Sequence, residues 1–255
     1  MSDDILCQHD GPVLRITFNR PHVLNALTPA VVDDLTELLT EAGDDPQVRV
    51  VVLAGAGRAF SSGADLTTVT GAPPEATLHA ANRLIRAVGA IPQPVVAAVH
   101  GPAAGVGCSL ALACDLVLAS TNAFFQLAFV NIGLMPDGGA TLLVPANIGR
   151  ARAMSLAMLG ERLPASLAAD WGLIYRVVDP SALQDAVDEL ATRLSRAAPL
   201  AVTAAKRAVN AATLGVLEDS LRRETDGQSA LLASEDFQTA VTAFREKRTP
   251  YFTGR

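Results

Sequence analysis

Lysine is nearly absent: Lys206 and Lys247 are the only two in 255 residues, and arginine carries almost all of the positive charge. Arginine cannot form a Schiff base, so covalent lysine chemistry is confined to those two positions. Cysteine is also scarce. Cys7, Cys108 and Cys114 are odd in number and form no CxxC pair, which supports neither a disulfide framework nor a zinc site and fits a reducing compartment. No histidine follows His100, the others being His9, His22 and His79. No apolar run reaches membrane-spanning length free of charge and glycine, and the acidic start Met-Ser-Asp-Asp has no apolar leader core. These absences predict a cytoplasmic protein with no metal. The formal net charge of −6, with both signs interspersed, argues against broad nucleic-acid binding, so an anionic ligand must find a local basic patch.

Half of the residues are hydrophobic, enough for a substantial core. The stretch from Ala97 to Asp115 organises the rest. Pro94 to Val99 reads as a buried strand, Gly101-Pro102 ends it, Gly105 and Gly107 allow a tight turn, and Ser109 to Ala113 resumes as a helix. Unpaired amides at such a helix start favour a negative charge.

Further strands are expected at 5–9, 13–18, 48–54, 116–119, 123–127 and 174–178, the first two forming a hairpin through Asp10-Gly11-Pro12. Thr28 caps a helix running to about Ala42, with Pro29 in its first position. Residues 67–74, rich in Thr, Gly and Pro, read as a mobile surface segment before a helix from Glu75 to Val88. Strand, loop and helix recur with the loop at the strand's carboxyl end, where α/β sheets collect ligands. From Arg150 helices dominate, at 151–159, 164–171 and 181–197. Beyond about residue 198 no strand signal remains, and Ser234 caps the last helix. The division expected is a core of residues 1–197 and a helical arm of residues 198–255 that packs on another subunit.

Gly107-Cys108-Ser109-Leu110-Ala111 is a degraded nucleophile elbow, but a serine hydrolase of that order needs a histidine after the serine, and there is none. The glycine pairs at 55–57 and 105–107 continue neither as a dinucleotide fingerprint nor as a phosphate loop. Because they follow adjacent buried strands, their amides can converge on one atom as an oxyanion hole. Asp137, before Gly138-Gly139, admits two compatible readings. It is an N-cap, or a carboxylate desolvated among Phe129, Leu134 and Met135 that takes and returns a proton. Asp65 and Asp115 read as structural, His100 as a packing residue, and Lys247-Arg248 as a solvated helix end or a phosphate patch.

Three ordered motifs make the chain resemble the crotonase, or enoyl-CoA hydratase/isomerase, superfamily from end to end. They are Asn19-Arg20-Pro21 with Leu24-Asn25-Ala26-Leu27, Gly57 to Leu66, and Ala98-Val99-His100-Gly101 through Asp115. The resemblance implies an α/β spiral of strand-strand-helix units with a C-terminal helical trimerisation arm, assembled as a homotrimer or as a hexamer of two trimers. It implies a coenzyme A thioester as substrate, with no separate cofactor, and an oxyanion hole made by the amides of Ala64 and Val106. Contacts to the thioester are implied for Arg20, Val23, Ser62, Asp65, Leu66, Gly105, Phe129 and Leu134, with the Ser62 carbonyl meeting the adenine and a neighbouring subunit's Lys247 approaching the phosphates.

Two departures decide the reaction expected. Hydratases of the family carry two glutamates, matching Ser109 and Phe129 here, and neither replacement can activate water. The stretch Ile132 to Gly139 instead resembles the branch of 1,2-epoxyphenylacetyl-CoA and enoyl-CoA isomerases, in which the aspartate, here Asp137, is the acid/base. Isomerisation of a CoA thioester is therefore expected. The alternatives are a hydratase of low activity, separated by assaying water addition to crotonyl-CoA, and a non-catalytic acyl-CoA or RNA-binding member, the latter separated by a salt-dependent gel shift.

Overall fold

A computed structural model describes residues 3–69 and 74–255. The hairpin forms as expected, β1 (Ile5–Asp10) pairing antiparallel with β2 (Val13–Phe18) around Gly11 at φ +54°. Helix α1 (Pro29–Asp44) opens where Thr28 Oγ1 accepts the Val31 amide at 3.2 Å. It is followed by β3 (Val50–Gly55), α2 (Leu66–Val69) and α3 (Pro74–Ala90). The segment expected to be mobile thus begins in a helical turn, and its residues 70–73 lie outside those described.

The chain then coils between two sheets. β4 (Val95–Val99) enters the first, β5 (Pro102–Ala104) the second, and α4 (Val106–Ala113) returns the chain for β6 (Leu116–Ser120) and β7 (Phe124–Gln126) to repeat the move. After α5 (Ala140–Leu159), β8 (Leu163–Pro164) closes the small sheet, and α6 (Ala165–Asp170) leads to β9 (Arg176–Val178) and α7 (Leu183–Ser195). The large sheet runs β1-β2-β3-β4-β6-β9, parallel from β2 onward, and the small one runs β5-β7-β8. This is the α/β spiral that the motifs imply.

The all-apolar sequence of β4 follows from burial on both faces. Val95, Ala97 and Val99 join the main core under α1 and α3, while Val96 and Ala98 join a second cluster covered by Leu183, Ala186 and Val187 of α7. Gly149, at φ +75° and ψ +165°, interrupts α5, so the helix beginning after Gly139 and the one expected at 151–159 meet at a kink.

Three helices follow residue 198: α8 (Pro199–Thr213), α9 (Leu217–Leu232) and α10 (Glu235–Arg245), the last capped by Ser234 Oγ accepting the Phe237 amide. No residue of α8 is buried as a whole, and its Leu200 is 85% exposed. Lys206 is nevertheless committed. Its ammonium lies 2.8 Å from Asp115 Oδ2 and donates to the carbonyls of Val88 and Gln93, so it ties α8 to the sheet and is unavailable as an amine nucleophile. Asp115 is structural, as expected, also accepting the Val95 amide at 2.8 Å. α9 and α10 fold back over the core, where Leu232, Phe237 and Val241 pack with Leu78 of α3.

Candidate active site

The two glycine loops meet through sheet register. Ser61 bridges Ala103 in parallel, with Ser61 N donating to Pro102 O and Ala104 N to Ser61 O, so three residues further on Ala64 comes opposite Val106. The backbones touch there. A Cβ on Gly63 would stand 2.8 Å from the Ala104 carbonyl oxygen, and one on Gly105 would stand 3.8 Å from Gly63 Cα. Leu27 takes up the Gly63 carbonyl and the Asp65 amide, which turns the Ala64 amide to the opposite side. Val106 is the first residue of α4, so its amide has no acceptor within the helix.

Ala64 and Val106 both line a cavity of about 250 Å³. Its walls are mostly apolar, with Leu66, Leu78, Phe129, Leu134, Leu232 and Phe237 among them, and Asp137 stands in the same wall. Burial pushes the Asp137 carboxyl up to about 7, against the hydrogen bond from Gln228 and with the help of the Glu224 charge. A single carboxyl poised near neutrality in the same cavity as Ala64 and Val106 can move a proton at a carbon next to a carbonyl, and main-chain amides are donors suited to that carbonyl's oxygen.

The N-cap reading of Asp137 does not hold. Gly139, at φ +80°, caps α5 with no side-chain bond of its own, and the carboxylate that reaches the helix start is Glu224 of α9. Glu224 accepts the Gly139 amide at 2.7 Å and the Thr141 amide and hydroxyl at 2.9 and 2.5 Å. With the helix amides satisfied from outside, Asp137 Oδ2 turns instead to Gln228 Nε2 at 2.8 Å.

The expected contact residues divide into two groups. Ser62, Ala64, Leu66, Gly105, Val106, Phe129 and Leu134 line the cavity. Arg20, Val23, Asp65 and Lys247 do not. Arg20 Nη1 pairs with Asp65 Oδ2 at 3.0 Å and donates to the Ala26 carbonyl at 2.6 Å, bracing the loop from behind. Asp65 is buried, which opposes ionisation, but bonds from Thr67 and Arg20 outweigh this and hold its carboxyl below the ordinary range. The Val23 carbonyl accepts the Ser62 hydroxyl at 3.3 Å, and Lys247 lies exposed just past α10 at φ +54°. His100 Nε2 donates to the Gly57 carbonyl at 3.0 Å, a packing role. Burial pushes the Cys108 thiol up to about 12, which removes it as a nucleophile.

At the two positions that the resemblance matches to the hydratase glutamates, Phe129 is an apolar wall and Ser109 is fully buried, its hydroxyl donating to the Asp137 main-chain carbonyl at 2.7 Å. Ser109 is therefore a brace for the Asp137 loop. Glu224 and Gln228 escaped sequence reasoning altogether, together with the walls Leu78, Leu232 and Phe237. Their one signal is spacing: Leu221, Glu224, Gln228 and Leu232 share a helix face whose apolar ends predict burial, and polar residues inside such a stripe need partners.

The fold is an α/β spiral, and its largely apolar cavity is lined by one buried carboxyl together with Ala64 and Val106. The family described as enoyl-CoA hydratase/isomerase matches residues 8–255, and the chain belongs to it. It is 39% identical over 262 residues to the 1,2-epoxyphenylacetyl-CoA isomerase of Escherichia coli (strain K12), covering all of both chains. It is 42% identical to a probable enoyl-CoA hydratase of Rhodobacter capsulatus, covering 94% of each. Among solved structures, an enoyl-CoA hydratase from Mycobacterium avium subsp. paratuberculosis K-10 superimposes with a TM-score of 0.93 at 49% identity, covering 98% of each chain.

Proposed function

We propose that the chain is an enoyl-CoA isomerase that shifts a double bond in a CoA thioester with Asp137 as its one acid/base. The observation carrying this reading is that a single near-neutral carboxyl faces the cavity while Ser109 and Phe129 occupy the places of the hydratase pair. The Ala64 and Val106 amides hold the thioester oxygen. Asp137 takes a proton from C2 of a 3-enoyl chain, the electron pair delocalises onto that oxygen as a dienolate, and the proton returns at C4, leaving the double bond between C2 and C3. Atoms balance without water or a redox partner. The similarity to the epoxyphenylacetyl-CoA isomerase supports a second use of the same amides, rearrangement of an epoxide next to the thioester.

The acyl group proposed is uncharged, because among the described residues lining the cavity Asp137 is the one ionisable side chain and no cation meets a terminal carboxylate. The exposed apolar residues of α8, Leu200 and Val209, support assembly as a trimer or hexamer, in which Lys247 of a neighbouring copy approaches the CoA phosphates.

A side-by-side assay decides between isomerase and hydratase. Isomerisation of 3-hexenoyl-CoA is expected to exceed hydration of crotonyl-CoA by about 100-fold or more in kcat/KM, the size of effect that a missing acid/base group produces. Comparable rates would return the chain to the hydratases.

A further inference from the structure

Helix α9 meets the Asp137 loop with two buried polar side chains one turn apart, and their bonds bracket the carboxyl. Gln228 accepts the Met135 amide at 3.0 Å and donates to the Met135 carbonyl at 2.9 Å and to Asp137 Oδ2 at 2.8 Å. Glu224 holds the amides of Gly139 and Thr141 on the other side. Ser109 of α4 fixes the Asp137 carbonyl. Asp137 Oδ1 is buried and has no hydrogen-bond partner among the described residues, and Asp137 is one of the residues lining the cavity.

We propose that Gln228 is a positioning residue that anchors Asp137 Oδ2 and so assigns proton transfer to Oδ1. The proposal rests on the isomerase reading for its chemistry, and on the hydrogen-bond geometry for its structure. A carboxylate rotates readily about Cβ–Cγ, and in an apolar cavity nothing else orients it. Fixing one oxygen aims the other, and placement of this kind decides the rate of a proton transfer to carbon. The amide that fixes Oδ2 also stabilises the ionised base against burial.

The charged groups around the loop are few. On α9, Glu224 bears on Asp137 directly, whereas Arg223 acts on Glu224. On α10, Asp236 is turned to the Thr253 and Gly254 amides. On α3, Arg86 pairs with Glu218 of α9. α4 and the turn 128–132 present no charge to the loop. Gln228 is thus the neutral donor offsetting burial and one like charge.

Two variants test this in the full chain, with Asp137→Asn alongside. Gln228→Met keeps the volume and removes the donor. Gln228→Glu keeps an acceptor for the Met135 amide, loses the donor when ionised and adds a like charge. In both, kcat is expected to fall by about tenfold or more with KM within about twofold; the midpoint of the acid limb of kcat is expected to rise by about one pH unit in Gln228→Met, the equivalent of one hydrogen bond to a charged group, and further in Gln228→Glu. Titration of the Asp137 carboxyl by carbon-13 NMR, assigned by difference from Asp137→Asn, is expected to show the same rise without any turnover. A midpoint unchanged in Gln228→Met by NMR overturns the proposal, as does a loss of activity in which KM rises and the midpoint stays. If the wild type does not isomerise but the NMR midpoint moves, the isomerase reading fails while the anchoring of Oδ2 stands.

Discussion

Asp137→Asn is expected to lower kcat for isomerisation of a 3-enoyl-CoA by about 10²- to 10⁴-fold, the range general acid–base groups supply, with KM nearly unchanged. Asparagine keeps the size of the side chain, and its carbonyl oxygen can still accept from Gln228 Nε2, so the loop held by Ser109 and Glu224 keeps its shape. What is lost is the capacity to take a proton. In the wild type the acid limb of kcat is expected to fall near pH 7, because below the raised value of about 7 Asp137 is protonated and no base is present.

The same raised value has a consequence for stability. The native carboxyl retains its proton up to about 7, while the ordinary aspartate value is 3.8. Between the two the native state binds more protons than the unfolded chain, so the stabilising contribution present at low pH is lost as the pH rises through 7. Removing the charge by Asp137→Asn is therefore expected to raise Tm relative to wild type at pH 8 and to flatten this part of its pH dependence. An active-site variant that is inactive yet more stable is the signature of a base held in an unfavourable place. A variant that is both inactive and strongly destabilised would point to a structural role instead.

Gly63→Ala is expected to reduce kcat by about 10²- to 10³-fold, as loss of an oxyanion donor does. Gly63 has φ +96°, and an added Cβ would lie 2.8 Å from the Ala104 carbonyl oxygen and 3.4 Å from Gly105 Cα. Those neighbours are main chain and cannot rotate away, so the loops must separate and carry the Ala64 and Val106 amides apart. Gly11→Ala supplies the control. Its φ is also positive, at +54°, but nothing lies within 4 Å of its Cβ position, so a modest fall in Tm with unchanged kcat is expected. Equal effects on kcat would mean that Gly63 matters only for folding.

What the sequence made legible was local. The Thr28 and Ser234 caps, the β1–β2 hairpin and the continuous apolar run of β4 each announce themselves over a few residues, and the structure has all of them. β5 was hidden because three residues carry no period, and Pro102–Ala104 becomes a strand only by pairing with Phe124–Gln126 and bridging to Ser61. β8, two residues long, is hidden for the same reason.

The partners of Asp137 were beyond local reasoning. Gln228 and Glu224 come from a helix about ninety residues further along the chain, and their contacts exist only once α9 lies on the core. That distance also explains the N-cap expectation at Asp137. An aspartate before two glycines and a helix is a sound cap from local chemistry, and it was displaced because a distant glutamate reached the same amides first. The Asp137 carboxyl, left out of the helix start, bonds Gln228 instead.

The central claim is that Asp137 shuttles one proton on a dienolate held by the Ala64 and Val106 amides, with no water added. Its most direct test is an NMR time course of a 3-enoyl-CoA in deuterium oxide, run with wild type and with Asp137→Asn. The wild type is predicted to convert the substrate to the 2-enoyl thioester with hydrogen or deuterium newly delivered at C4 and no 3-hydroxyacyl product, and the variant to leave C2 and C4 unexchanged. Accumulation of the 3-hydroxyacyl thioester, or an undiminished isomerisation in Asp137→Asn, would contradict it.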